Sequence, residues 1–264
     1  MTAASAPAAE SSRVGILPLI DVNVARIGLR AHRKLVTPQT APVYAQILQK
    51  SAYTCQMCGI MVPGFMEIHH KNGNHHDQSV ENLACICHFC HKIQHPVASG
   101  QRAQIEPIWA PEASQNEIIR MAWAQMAVSY LAANERAGQI GLEEAMDEID
   151  DHIANRRNLA ATILATGRTD VLMMTLYRLQ ASGSVMKLDM SGFRFWPVLQ
   201  IEAVDINNHD KIVDLKSEAM EAIFGHGGSF HDTNWLKLAD VVKHFQPEVT
   251  ANWANLQEAP AGNA

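Results

Sequence analysis

The sequence predicts an α+β fold in which a small ββα module precedes a mainly helical body. Two Cys-x-x-Cys pairs, separated by the 28 residues from 59 to 86, bracket two short strand-like segments. Beyond residue 112 the chain is dominated by long apolar patterns with helical spacing. The 264 residues, 47% of them hydrophobic, carry a mild formal net charge of −6 and contain no apolar run of about 18 residues. This composition indicates a globular protein with a sizeable core and no transmembrane segment.

The N-terminal residues are predicted to contain a tail, a strand and a helix. Residues 1–12 are rich in Ala and Ser, which favours a disordered tail and no secretory signal. Residues 15–27 have the apolar density of a strand, and residues 41–50 form a helix that leads into the module. Residues 13–50 include six Lys or Arg residues and one acidic residue, Asp21, so this segment is basic. Such a basic strip can follow a phosphate backbone, or it can be a solvated face or contact an acidic protein.

Four cysteines have the spacing of zinc ligands. Zn²⁺ prefers four tetrahedral ligands, and each Cys-x-x-Cys turn supplies two thiolates. The sequence therefore predicts a structural Zn²⁺ bound by Cys55, Cys58, Cys87 and Cys90. The fifth cysteine, Cys85, is predicted to be a small buried strand residue. Because four of the five thiols are assigned to metal, we expect no disulfides and a reducing, cytoplasmic location.

Several histidines lie between and after the cysteine pairs. Residues 64–70 and 80–86 are predicted strands around a turn at residues 72–74, and a helix is predicted from Cys90. Residues that alternate along a strand face opposite sides, so His69 and His70 should point apart. On the helix, His91 and His95 are four residues apart and should share one face, although Pro96 disfavours helical geometry at His95.

In this order, these residues resemble the ββα-metal, or HNH, nuclease motif. The resemblance implies that His69, His91 and His95 are ligands of a second divalent ion such as Mg²⁺, Mn²⁺ or Ni²⁺. It implies that His70 is the general base that activates water and that Asn82 braces the loop carrying this base. The chemistry implied is metal-assisted hydrolysis of a phosphodiester. The alternative is a scaffold that zinc alone keeps folded, in which these residues have no catalytic role.

The body that follows is predicted to be helical. Residues 97–111 are predicted to be a Pro-containing linker. Ser114 and Glu117 form a capping-box pattern at the start of a helix that runs to about Arg136, with an apolar face expected in the core. An acidic helix with a solvated face and a further apolar helix follow, at residues 142–164 and 169–179.

The C-terminal part is predicted to be a helical extension. Residues 193–197 suggest a strand or ordered loop, and helices are predicted at residues 210–224 and 233–245. We therefore divide the chain into a tail (1–12), a basic segment with the zinc module (13–103), a helical domain (104–181), a C-terminal helical extension (182–257) and a second tail (258–264).

A second resemblance covers residues 17–180. The order of Tyr53-Thr54-Cys55-Gln56-x-Cys58-Gly59, the zinc module, Ala110-Pro111-Glu112-x-Ser114-Gln115 and Thr169-Asp170 is similar to the IcmJ (DotN) family of type IVB secretion systems. The resemblance implies a zinc-binding adaptor of the type IV coupling complex that binds the coupling ATPase and other coupling-complex subunits and aids substrate recruitment. It also implies a cytoplasmic protein, peripheral to the inner membrane through that complex, without recognised nuclease activity.

This chain differs from the IcmJ pattern because it retains the full set of HNH residues, His69, His70, Asn82, His91 and His95. From the sequence we favour the adaptor, with a metal-dependent HNH endonuclease acting on DNA as the alternative. Whether the protein is an enzyme stays open at this point.

Overall fold

The computed structural model describes residues 40–133, 142–182 and 190–198, together with short segments at 202–204, 212–214, 220–221, 223–225, 228–230, 233–234 and 237–238. The predicted tails, the predicted strand at residues 15–27 and most of the basic strip lie outside these residues. The α+β fold class is confirmed, because helices and antiparallel two-stranded sheets are both present.

The module consists of a helix, a hairpin and a second helix. Helix α1 (Ala41–Lys50) packs on strands β1 (Met66–His70) and β2 (Leu83–Cys87), and helix α2 (His88–Gln94) follows β2 directly. The strands are antiparallel, with Met66 opposite Cys87 and His70 opposite Leu83. Every residue of β2 is buried, as expected for a strand covered on both faces.

The bounds of three module elements differ from the prediction. Strand β1 begins at Met66 and not at residue 64. Strand β2 begins at Leu83 and not at residue 80, because the backbone N–H groups of Asn82 and Leu83 bond to carbonyls three residues back in a turn. Helix α2 begins at His88 and not at Cys90, because the Cys87 sulfur caps the helix by accepting a hydrogen bond from the backbone N–H of Cys90.

The prediction that residues 97–111 form a linker is wrong. They hold part of helix α3 (Pro96–Gln101) and strand β3 (Ile105–Trp109), which pairs antiparallel with strand β4 (Phe193–Pro197). Pro107 lies opposite Phe195, whose backbone N–H and carbonyl are bonded to the Gln115 side chain at 2.8 and 2.7 Å. The N–H and the carbonyl of Phe195 are thus both bonded to Gln115 and not to Pro107. The absence of an N–H at Pro107 therefore removes no hydrogen bond between β3 and β4.

The helical body contains α4 (Gln115–Ala133), α5 (Leu142–Leu164) and α6 (Thr169–Ala181). The capping box at the start of α4 is confirmed: the Ser114 N–H donates to the Glu117 carboxylate at 2.6 Å, and the Glu117 N–H donates to the Ser114 hydroxyl at 3.2 Å. Trp123 of α4 is 2% exposed and packs 4.9 Å from the ring of Phe89 in α2. The body and the module therefore share one core.

The C-terminal prediction is partly wrong. Strands β5 (Glu202–Val204) and β6 (Ile212–Asp214) pair with each other, so the helix predicted at residues 210–224 is interrupted by a strand that contains the β-branched Ile212 and Val213. The described residues nearer to the C-terminus pack on the body: the Phe230 ring lies 6.1 Å from Trp123. The predicted helix at residues 233–245 is helical at 233–234 and 237–238, and its remaining residues lie outside the described part of the chain.

One described stretch, Ile149–Leu179, has the length and hydropathy of a membrane-spanning helix. It is not a continuous helix, because α5 ends at Leu164 and the chain turns at Ala165, which has a positive φ of 54°, before α6 begins at Thr169.

Candidate metal centres

The four cysteines meet at the end of the hairpin where β2 enters α2. Cys55 and Cys58 belong to a tight turn closed by hydrogen bonds from the Cys55 N–H to the Ile60 carbonyl and from the Gly59 N–H to the Cys55 carbonyl, both 2.9 Å. Gly59 has a φ of +76°, a conformation that a residue without Cβ adopts readily. Cys87 ends β2, and Cys90 lies in the first turn of α2.

The geometry of the four thiols fits a tetrahedral ion. Their Sγ atoms all lie within 4.8 Å of one another, and the Sγ atoms of Cys58 and Cys87 are 3.7 Å apart. Zinc–sulfur bonds of about 2.3 Å at tetrahedral angles place two sulfurs about 3.8 Å apart. All four cysteines are free thiols. The spacing therefore matches the edge of a metal-binding tetrahedron and is much longer than a disulfide bond.

The surroundings of the thiols also favour a cation. The backbone N–H groups of Cys58 and Cys90 point at the sulfurs of Cys55 and Cys87, each at 3.5 Å. Burial raises the pKa of the Cys58 thiol well above its ordinary value, whereas hydrogen bonds from the neighbouring thiols lower the pKa of Cys55. Burial and mutual repulsion therefore oppose the ionisation of all four thiols at once. A bound divalent ion would offset the negative charge of the four thiolates.

Two cationic side chains approach the backbone of the first cysteine turn. Arg120 of α4 donates from Nε to the Cys58 carbonyl at 2.7 Å, and the Lys237 ammonium donates to the Gly59 carbonyl. Asn234 holds the same turn by accepting from the Met61 N–H at 2.9 Å and donating to the Met61 carbonyl at 2.6 Å. Side chains of the helical body and of the C-terminal segment therefore hold this turn in place and bring positive charge close to the thiols.

A second cluster is formed by His69, His91 and His95, whose ligand nitrogens all lie within 4.8 Å of one another. The Nε2 atoms of His91 and His95 are 3.1 Å apart, and the His69 ring is 5.7 Å from each of the other two. Two nitrogens bound at about 2.1 Å to one ion, at angles of 90 to 110°, are about 3.0 to 3.4 Å apart. The donor set therefore fits one divalent ion.

His95 reaches this cluster from outside the helix. The expectation that His91 and His95 share one helical face is wrong in detail, because α2 ends at Gln94 and His95 has φ −122° and ψ 57°. Pro96 begins α3, and its ring excludes helical geometry at the preceding residue. His95 is 7% exposed and still places its ring 4.8 Å from that of His91.

Glu67 is a functional residue that the sequence analysis missed. Its carboxylate accepts from Nδ1 of His91, and from Nδ1 of His88 at 2.5 Å. Burial opposes ionisation of Glu67, but the hydrogen bonds from His88 and His91 outweigh it and hold the pKa of this carboxyl well below its ordinary value. A carboxylate that receives Nδ1–H of a histidine orients the opposite nitrogen toward a metal. The signal was available, since Glu67 is two residues before His69 and shares its strand face.

The contact with Glu67 also defines the role of His88. His88 is the first residue of α2. Its Nδ1 atom is bonded to Glu67, and the side chain is 28% exposed. His88 therefore helps to hold the carboxylate that orients His91.

His70 lies on the other face of β1, as strand alternation predicts. It is 5% exposed, and its ring lies 6.3 Å from that of Tyr44 and 4.9 Å from that of His75. The His75 ring is in turn 6.2 Å from that of His95, so it lies between His70 and the histidine cluster. Burial lowers the pKa of His70, which favours the neutral imidazole near pH 7.

The Asn82 side chain joins the start and the middle of the loop formed by residues 71–82. Its amide oxygen accepts from the backbone N–H of Asn72 at 2.9 Å, and its amide nitrogen donates to the carbonyl of Asp77, also at 2.9 Å. The side chain is 7% exposed, so these bonds are sheltered from water. Asn82 therefore occupies the bracing position that the HNH resemblance implies.

No family model matches this chain. Among curated proteins, the chain is similar to the Zorya protein ZorE of Escherichia coli (strain Crooks), with 36% identity over 58 residues. This similarity covers 21% of the present chain and 16% of ZorE, so the two proteins are alike over a short segment only.

Proposed function

We propose that this protein is a metal-dependent nuclease that hydrolyses phosphodiester bonds in DNA with an HNH-like site. One observation carries the proposal: three histidine nitrogens converge with metal-binding spacing, and a buried histidine occupies the adjacent strand position. A purely structural module needs only the four cysteines.

Each residue has a distinct part in the proposed reaction. A divalent ion held by His69, His91 and His95 would stabilise the negative charge that develops on the phosphate oxygens. His70, which burial keeps neutral, accepts the proton of the attacking water. Asn82 holds the loop beside His70, and Glu67 aims the His91 ring.

We propose Zn²⁺ for the four-cysteine site, in a structural role. The donor set consists of four thiols, which prefer zinc to harder cations such as Mg²⁺. Bound there, the ion ties the turn at Cys55 and Cys58 to the start of α2 at Cys87 and Cys90. Since α2 also carries His91, this cross-link sets the position of the histidine cluster.

The test is cleavage of supercoiled plasmid DNA with Mg²⁺, Mn²⁺ or Ni²⁺. We expect the zinc-loaded wild-type protein to cut DNA, and His70→Ala to lower the rate by at least about 100-fold, since a positioned base contributes about 10² to 10⁴. Zinc content should remain one ion per chain. The matched control is His76→Ala, because His76 is exposed on the same loop. An inert wild-type protein, or a His70→Ala variant as active as wild type, would contradict the proposal.

A second candidate is the IcmJ-like adaptor, located in the cytoplasm beside the inner membrane. Besides the sequence resemblance, it is favoured by two exposed apolar side chains on one face of α5: Leu159 and Ile163, four residues apart, are 46% and 39% exposed. Exposed apolar side chains that cluster on a surface often mark a protein contact. An adaptor would use this surface to bind the coupling ATPase or another coupling-complex subunit.

The adaptor is tested by co-purification with the coupling ATPase. We expect a stoichiometric complex with the wild-type protein, and loss of the complex when Leu159 and Ile163 are both replaced by Glu. Asn155→Glu is the control, because Asn155 is an exposed polar residue of the same helix. If wild type and both variants bind equally well, this surface is not the contact. If no ATPase co-purifies, the adaptor proposal fails.

A further inference from the structure

Two positive charges converge on the turn that carries the first two cysteines. Arg120 of α4 donates from Nε to the Cys58 carbonyl at 2.7 Å, and the Lys237 ammonium donates to the Gly59 carbonyl. A Cβ atom placed on Gly59 would lie 3.8 Å from a guanidinium nitrogen of Arg120 and 4.0 Å from the ammonium nitrogen of Lys237. Both charges therefore lie beside the same residue of the turn.

Among the described residues, neither cation has an acidic partner. None of the ion pairs in that part of the chain includes Arg120 or Lys237. Both residues are only partly exposed. Like charges repel each other, and the repulsion is stronger where water is partly excluded. We therefore expect an anion close to this turn.

The four-cysteine site is such an anion when it holds a metal. Four thiolates carry four negative charges, and a divalent ion offsets only two of them. Arg120 and Lys237 supply two positive charges at neutral pH. The metal, its four sulfur ligands and the two cations together are then close to neutral.

The distances are short enough for this compensation. Bond lengths place the carbonyl oxygen and the Sγ atom of one cysteine at most about 5 Å apart. Since Arg120 donates to the Cys58 carbonyl, its nitrogen lies within roughly 8 Å of the Cys58 sulfur, about one screening length in physiological salt. Cys58 is 0% exposed, so solvent screens this interaction weakly.

We propose that Arg120 and Lys237 are the charge-balancing partners of the four-cysteine site: they offset the negative charge of the metal-bound thiolates and so determine how tightly zinc is held. The inference rests on the proposed structural zinc and not on nuclease activity. The two residues come from α4 and from the C-terminal segment, so the metal centre extends beyond the module that contains its ligands.

The C-terminal segment is held in a way that fixes Lys237. Asn234 is 0% exposed and is bonded to both the N–H and the carbonyl of Met61, at 2.9 and 2.6 Å. Residues 233–234 and 237–238 are helical, and side chains three positions apart on a helix are neighbours. The bonds of Asn234 to the module therefore place Lys237 beside the cysteine turn.

A purely structural role would need the hydrogen bonds but not the charges. Lys71 offers the matched comparison within this chain, because its exposed ammonium also donates to a backbone carbonyl, that of Glu81, at 2.9 Å. Lys71 lies on the loop of residues 71–82 and not on a cysteine turn. Loss of its charge should leave zinc affinity unchanged.

The test is zinc affinity of the full chain, measured by competition with a chromophoric chelator. Lys237→Gln keeps an N–H donor and removes the charge, and we expect zinc affinity to fall about tenfold, as for other groups around a metal's ligands. Arg120→Gln should have a similar effect, and the double variant a larger one. Lys237→Arg, which keeps the charge, and the control Lys71→Gln should bind zinc as wild type does.

Co²⁺ in place of Zn²⁺ supplies a second readout, which a loss of hydrogen bonds alone does not produce. In Lys237→Gln we expect the sulfur-to-cobalt charge-transfer band to move to longer wavelength. A thiolate without a nearby cation gives up an electron more readily, so the transition needs less energy. The band should stay in place in Lys237→Arg and Lys71→Gln.

The outcomes separate this inference from the proposed functions. Wild-type zinc affinity and an unshifted cobalt band in Lys237→Gln would overturn it, and so would an equal loss of affinity in Lys71→Gln. If Arg120→Gln does not fold, Lys237→Gln decides the question alone. If the four cysteines of wild type bind no zinc, the structural zinc and this inference both fail. Failure to cut DNA leaves the inference standing.

Discussion

The four-cysteine site and the three-histidine site are adjacent on α2 but differ in solvent exposure. Cys90 and His91 are consecutive residues, yet the four cysteines are at most 2% exposed, whereas the side chain of His91 is 20% exposed. Structural metal sites are closed by four protein ligands, and catalytic sites keep a position for water or substrate. Under the proposed function, one short helix therefore carries a ligand of the structural site at Cys90 and a ligand of the catalytic site at His91.

The two sites also differ in what holds their ligands. The cysteines are fixed by backbone turns, with N–H groups of Cys58 and Cys90 directed at sulfur. The histidines are fixed by side chains, chiefly the Glu67 carboxylate on His91. Damage to the first site should therefore disrupt the fold, and damage to the second should change metal affinity and chemistry alone.

Replacing a zinc ligand should have the largest effect. In Cys58→Ser we expect loss of bound zinc and unfolding of the module, because zinc binding supplies about 10 kcal/mol of folding free energy in sites of this kind. Metal content by mass spectrometry of the native protein, and circular dichroism, measure the two losses. Cys85→Ala is the control: Cys85 is buried in β2 outside the cluster, and its loss should cost about 1 kcal/mol without releasing zinc. A folded, zinc-free Cys58→Ser protein would contradict the structural role of this site.

Replacing Glu67 should have a smaller effect that is confined to the histidine site. In Glu67→Gln we expect the affinity for Mn²⁺ or Ni²⁺ at the histidine cluster to fall about 10- to 100-fold, because the group that orients His91 loses its charge. Isothermal titration calorimetry on the zinc-loaded protein measures this change. Glu81→Gln, at an exposed position of the same module, should bind as wild type does. If Glu67→Gln instead releases zinc, the two sites are not independent.

Features set by local spacing could be predicted from the sequence. The two cysteine turns and the Ser114–Glu117 capping box each depend on residues within a few positions of one another. Pro96 predicted that helical geometry is disfavoured at His95, because a proline restricts the residue before it, and the helix does end at Gln94.

Features set by distant partners could not be predicted. Strand β3 looked like a linker because it contains Pro107 and its partner β4 lies more than 80 residues further along the chain. The Gln115 side chain that satisfies Phe195 has no sequence signature of its own. The contacts of the Gln78 amide with the His75 carbonyl and the His70 ring depend on the fold of the loop that brings these groups together. Tertiary contacts, and not propensity, decided these elements.

Asn82 gives the smallest and most specific prediction, because it touches neither metal site. In Asn82→Ala the backbone groups of Asn72 and Asp77 lose their partners, and we expect local opening of the loop to become easier by about 1 to 2 kcal/mol. Amide hydrogen exchange of residues 71–82 measures this change. Asn74→Ala is the control, because Asn74 is exposed and, among the described contacts, its side chain is bonded only to the nearby His76 N–H. Both metal affinities should stay as in wild type. Because this loop packs beside His70, cleavage should fall when the loop loses its protection from exchange. If cleavage falls while loop exchange is unchanged, Asn82 acts on the site by some means other than bracing.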